Sequence, residues 1–266
     1  MARLKLVINK SLSVSTAHKE IIQSFSVADG LLIFVLFLVV LIILSSLFVF
    51  KHGNLLVLFN CVLILLPFVL LYFKNQNSET IGWTKKYLLK SSLLGLAIGL
   101  VFFLLLPTQR FWPLNTPWHV IITVSESISL FTPRNFIVNG LLFFAIPVAV
   151  GEEILFRGYI QTRAYGVIKN TYLAIFIVGL MFAILHMPSL IFWSALYADI
   201  PLTPFSSYLT AVANYFSVHF ASFLAMFAFY IIMHITFYWS YMKFNNIATP
   251  IIIHFLLNLR QLFPGM

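Results

Sequence analysis

Glu152 and Glu153 lie side by side in Ala149-Val150-Gly151-Glu152-Glu153-Ile154-Leu155-Phe156-Arg157, at the end of an apolar run. Inside such surroundings a carboxylate is costly to desolvate and needs a chemical reason to be there. Neighbours on a helix point about 100° apart, so the two acids cannot serve one point. Glu153 and Arg157 are spaced i, i+4 with the acid N-terminal, the favourable order for an ion pair. Glu153 is therefore the expected structural partner. Glu152 is left facing the interior of the helix packing, where a general base would act.

Two later apolar runs carry the groups that such a base would need. One holds Phe182-Ala183-Ile184-Leu185-His186, the other His254-Phe255-Leu256-Leu257-Asn258, with His254 and Asn258 on one helix face. A carboxylate with a histidine can activate water, while a second histidine with an amide can steady an oxyanion; together they suit hydrolysis of an acyl bond. No Gly-x-Ser-x-Gly is present and no serine stands where it would pair with either histidine, so a serine nucleophile fits less well. Glu, His and His also form a zinc ligand set, although the HExxH spacing is missing. No cofactor is expected, with zinc as the alternative. His219 and His234 lack a polar partner at i, i+4 and are expected to be core histidines, and Cys61, inside an apolar run, a small buried residue.

The elements that must position these residues follow from composition. Of 266 residues, 61% are hydrophobic and only 9% charged, and the mean hydropathy is +1.01. Water cannot be the main solvent of such a chain. Apolar runs over 31–50, 55–73, 91–106, 136–156, 172–187, 216–241 and 247–263 predict an all-α polytopic transmembrane bundle of about seven spans, each needing roughly 20 residues. The third and fifth runs are short for a full span and call for extension into the flanking turns. The polar or aromatic stretches 74–90, 107–135, 157–171 and 188–215 are expected as loops. Residues 1–28 form a cytoplasmic N-terminal segment in this reading, and 29–266 the transmembrane domain.

The 16 Lys and Arg are scattered between apolar runs, which argues for topology rather than nucleic-acid binding. Arg3, Lys5, Lys10, Lys19, Lys74, Lys85, Lys86, Lys90, Arg157, Arg163, Lys169 and Lys243 all fall on one side of a seven-span chain. That side is cytoplasmic by the positive-inside rule, and the N terminus with it. A hairpin turning near Ile168 would bring Glu153 and His186 to similar depth, since both helices rise about 1.5 Å per residue.

In this order on late helices, Glu152-Glu153-x-x-x-Arg157, Phe182-x-x-x-His186 and His254-x-x-x-Asn258 resemble the three motifs of the CAAX prenyl protease and bacteriocin-processing family of intramembrane peptidases. The resemblance covers about 136–258. It implies that Glu152 and His186 activate water, that His254 and Asn258 form the oxyanion hole, and that Glu153 and Arg157 support the site. The implied partner is a membrane-associated peptide or protein in a cell membrane; oligomeric state is left open. Two other classes compete: a non-catalytic membrane immunity or scaffold protein of the same fold, and a proton-coupled transporter, for which no repeat is visible.

Overall fold

The computed structural model describes residues 25–49, 55–105, 141–142, 145–188 and 205–261. Within them the chain is helical, with no strand. The expectations for residues 1–24, for the whole 107–135 loop and its continuation to 140, and for the stretch 189–204 lie outside the described residues.

Helix α1 spans Val27–Val49 and α2 Leu55–Phe73. A 3-10 turn follows at Ser78–Ile81, closed by Gly82 at a φ of 74°, a left-handed conformation that a side chain would strain. Helix α3 spans Leu88–Leu105. Next comes a continuous rod in three parts: α4 (Ile146–Glu153), a π-helical segment (Ile154–Ile160) and α5 (Gln161–Ile168). Helices α6 (Thr171–Leu185), α7 (Phe205–Phe244) and α8 (Ala248–Gln261) complete the bundle.

Among the described residues, three helices contain stretches long and apolar enough to cross a membrane, Val27–Ser45, Leu88–Leu105 and Leu224–Phe244. Leu58–Phe73, Thr171–Leu185 and Ala248–Arg260 are shorter apolar helices.

The rod differs from the expected ending of the fourth run at Phe156. The polar residues beyond it suggest a loop over 157–171, but the helix continues to Ile168 because those residues are buried and partnered. Arg157 pairs with Glu153, Gln161 with His234, and Arg163 with Thr162 and Gln76. The turn itself falls where expected. Lys169 takes a left-handed φ of 56°, and the Asn170 side chain caps α6 by accepting from the Leu173 N–H at 3.0 Å.

The 188–215 loop is also shorter than expected, since α7 begins at Phe205 and runs 40 residues. No Gly or Pro interrupts this stretch, so its aromatic composition does not end the helix. Helix α6 does not extend into flanking turns; its 15 residues rise only about 22 Å and stop at His186. Cys61 is exposed on α2 rather than buried.

The ends expected to share one side of the bundle do meet. Lys74, after α2, lies 3.1 Å from Asp29 at the start of α1. The Asn246 amide, between α7 and α8, donates to the Thr84 and Lys86 carbonyls at 2.9 Å each.

Helix α8, which carries His254 and Asn258, is set by its packing on α3. Thr249 donates to the Ser91 carbonyl at 2.9 Å, and one turn further a Cβ on Gly95 would stand 2.8 Å from the Thr249 carbonyl oxygen. Backbone cannot yield to such a contact. Gly95→Leu is therefore expected to destabilise the bundle by about 1–3 kcal/mol or more, as overpacking does. Thermal unfolding of purified protein tests this, and an unchanged Tm would show that the two helices are not held this close.

Candidate active site

The rod, α6, α7 and α8 each contribute to one polar cluster. Glu152 and Glu153 stand at the C-terminal end of α4, just before the wider π turns, which are frequent at functional sites. Glu153 and Arg157 are fully buried, and the Arg157 Nη1 donates to Glu153 Oε1 at 3.0 Å. The Arg157 guanidinium also lies against two rings, 4.1 Å from the Phe182 centroid and 4.8 Å from that of Phe237. The expected ion pair is present, and Phe182 acts as one wall of its enclosure.

His186 caps the end of α6, so that helix stops at the site. Its Nδ1 bonds the Phe182 carbonyl at 2.8 Å, an oxygen left free by the helix end. His254 Nδ1 bonds Glu153 Oε1 at 2.7 Å across the interface. A carbonyl and a carboxylate only accept, so each Nδ1 carries the hydrogen. Both Nε2 atoms face the same oxygen: Glu152 Oε2 is 3.7 Å from that of His186 and 3.9 Å from that of His254. Glu152 Oε2 is buried and has no hydrogen bond among the described residues.

Five of the six polar residues picked out by the three motifs therefore share direct contacts. Asn258, the sixth, is buried one turn beyond His254, and its Nδ2 donates to the Ala145 carbonyl at 3.5 Å, the limit of hydrogen-bond length.

The structure adds residues that motif reading does not reach. Tyr230 stacks on His186, with centroids 4.0 Å apart and planes at 26°, and Phe237 stacks on His254 at 5.4 Å. Both lie on α7, which no motif touches. The only signal in the chain is their spacing: Tyr230, His234 and Phe237 recur at helical intervals opposite the rod. His234 is the core histidine expected, but its partner is the Gln161 side chain, 3.0 Å away on the rod. The side chain of His219 lies outside the described residues.

The Tyr230 ring is the part of that side chain that lies against His186. Tyr230→Phe is expected to keep activity within about twofold, whereas Tyr230→Ala removes a ring pair worth about 0.5–1.5 kcal/mol and lowers kcat by about two- to tenfold. Steady-state kinetics with both variants checks this; equal losses would assign the effect to the hydroxyl.

Glu152, His186 and His254 are chemically suited to bind zinc. Among the described residues, however, no group of three or more His, Cys, Asp or Glu is arranged to hold a metal ion.

Fold and site define a helical membrane protein with an acid-histidine centre among its helices. Residues 134–260, just under half of the chain, match the family model described as type II CAAX prenyl endopeptidase Rce1-like. The resemblance drawn from the three motifs holds over this segment, which carries Glu152, Glu153, Arg157, Phe182, His186, His254 and Asn258. Over this segment the chain is similar to proteases of the CAAX type, and its apolar helices fit an integral membrane protein. No curated protein and no solved structure matches the chain.

Proposed function

We propose that the protein is an intramembrane endopeptidase that hydrolyses a peptide bond of a membrane-associated protein or peptide. The observation that carries the proposal is the placement of Glu152 Oε2 between two histidine Nε2 atoms at 3.7 and 3.9 Å. These distances exceed a direct hydrogen bond, so the three groups can hold one water molecule between them. Glu152, with His186, takes a proton from that water as its oxygen attacks the acyl carbon. The proton then passes to the leaving nitrogen, so no enzyme nucleophile is required.

The oxyanion falls to His254 and Asn258. As a donor, His254 carries hydrogen on both ring nitrogens, with Nδ1–H on Glu153 and Nε2–H toward the developing charge. Asn258 is the other donor, and its long contact to Ala145 is readily exchanged for a stronger one. Glu152, Glu153, Arg157 and a doubly protonated His254 then sum to zero charge, as a poorly solvated site requires. The mechanism uses no metal.

In the membrane we infer about seven spans with a cytoplasmic N terminus. The basic residues support this arrangement, as do the contacts between Lys74 and Asp29 and between Asn246 and the start of α3.

The test compares membrane peptides from cells expressing the wild type, Glu152→Gln or His186→Ala at matched levels, with and without a chelator. A product lost in both variants but retained with chelator is the expected result. Loss with chelator would return zinc to the site. Identical peptides in all three strains, with the cellular phenotype intact, would leave a scaffold or immunity protein instead.

A further inference from the structure

A second polar feature runs away from the site between the rod and α7. Glu153, Arg157, Gln161 and Tyr165 recur every four residues along the rod, and Tyr230, His234 and Tyr238 do so along α7. The two rows face each other. His234 Nε2 meets Gln161 Oε1 at 3.0 Å, and the Tyr165 and Tyr238 rings are 5.9 Å apart. Glu153, Arg157, Gln161 and His234 are fully buried, and Tyr165 and Tyr238 nearly so.

Packing alone does not account for this seam, because much of its hydrogen-bonding capacity is unused. Glu153 Oε2, Arg157 Nε and Nη2, Gln161 Nε2 and His234 Nδ1 are buried without a hydrogen-bond partner among the described residues. The Tyr165 hydroxyl faces Tyr238 and Gln161 without meeting hydrogen-bond geometry to either. Single buried polar atoms of this kind are uncommon, and a row of them is a site for internal water.

We propose that the seam binds a chain of water molecules that supplies the hydrolytic centre. It begins at Glu153, beside Glu152, and follows the rod through its π turns to Tyr165. Tyr165 is one turn from Lys169 and Asn170, which are exposed. This supply role rests on the peptidase reading. Each turnover breaks one C–N bond and forms one C–O bond: the water oxygen goes to the acyl carbon and one of its protons to the amide nitrogen. The second proton ionises from the new acid to complete the ammonium. One water is thus consumed per cleavage, while substrate covers the open side of Glu152. A path from behind the carboxylates replaces that water without substrate leaving.

Radiolytic hydroxyl-radical footprinting in 18O-labelled water, on full-length protein in nanodiscs, reads bound water independently of catalysis. Tyr165, His234 and Tyr238 are expected to label several-fold faster than the equally buried Phe59 and Phe156. Gln161→Met is expected to remove most of that labelling and to lower kcat with little change in KM. Labelling no faster than at Phe59 and Phe156 would overturn the proposal in the wild type alone, whether or not any variant folds. Labelling abolished by Gln161→Met with kcat unchanged would overturn the supply role. A dry seam in a protein whose cleavage depends on Glu152 removes only this inference, whereas a wet seam without cleavage removes the peptidase reading.

Discussion

Glu152→Gln is expected to lower kcat by about 10²–10⁴-fold, the usual contribution of a positioned general base, while leaving KM and Tm close to wild type. Glutamine fills the same volume and still presents an oxygen to His186 and His254, but it cannot take a proton from water. Stability is spared because Glu152 Oε2 accepts no hydrogen bond among the described residues, so the substitution leaves no donor stranded among them. His186→Ala should approach the same kcat, since it removes the other group facing the water. The double variant should then be scarcely worse than either single one, as for residues acting as a unit. Cleavage of an identified substrate by purified variants, alongside thermal unfolding, decides the matter. A Glu152→Gln protein with normal kcat would end the glutamate mechanism, and one that failed to fold would make Glu152 structural.

How much of this could be read from the chain depends on the range of each interaction. The Glu153–Arg157 pair and the turn after Ile168 are local and follow from helical spacing and rise. The convergence of Glu152, His186 and His254 follows from motif order. The extent of the helices is harder to read, because polarity can mean either solvent or a buried partner. Arg157, Gln161 and Arg163 look like the start of a loop, yet each is matched by a group on the same or another element. The stretch from Phe205 looks like an interfacial loop by its aromatics, but it contains nothing that stops a helix. Partners remote in sequence were invisible: Gln161 and His234 are 73 positions apart, and Glu153 and His254 are 101 apart. A search at i, i+4 finds neither. The same limit applies to Glu153, which meets His254 as well as Arg157.

That double duty of Glu153 separates stability from activity in a way that can be measured. Arg157→Met leaves the buried cluster with one uncompensated negative charge and is expected to cost about 3–5 kcal/mol, enough to lower Tm sharply or prevent folding. Glu153→Met combined with Arg157→Met removes both charges and fills their space with apolar side chains of similar length. Replacements of buried ion pairs in this manner are often neutral or stabilising, so the double variant should recover most of the lost stability. It should not recover cleavage. His254 Nδ1 loses the acceptor it meets at 2.7 Å, and among the described residues the ring keeps its stack on Phe237 and its approach to Glu152. Glu153→Gln with Arg157→Met keeps an oxygen for that nitrogen and should regain part of the activity. Thermal unfolding and kcat for the four proteins test both halves of the argument. A double methionine variant no more stable than Arg157→Met would mean that the stranded charge is not what destabilises the single variant. A stable double methionine variant with full activity would mean that Glu153 does not position His254.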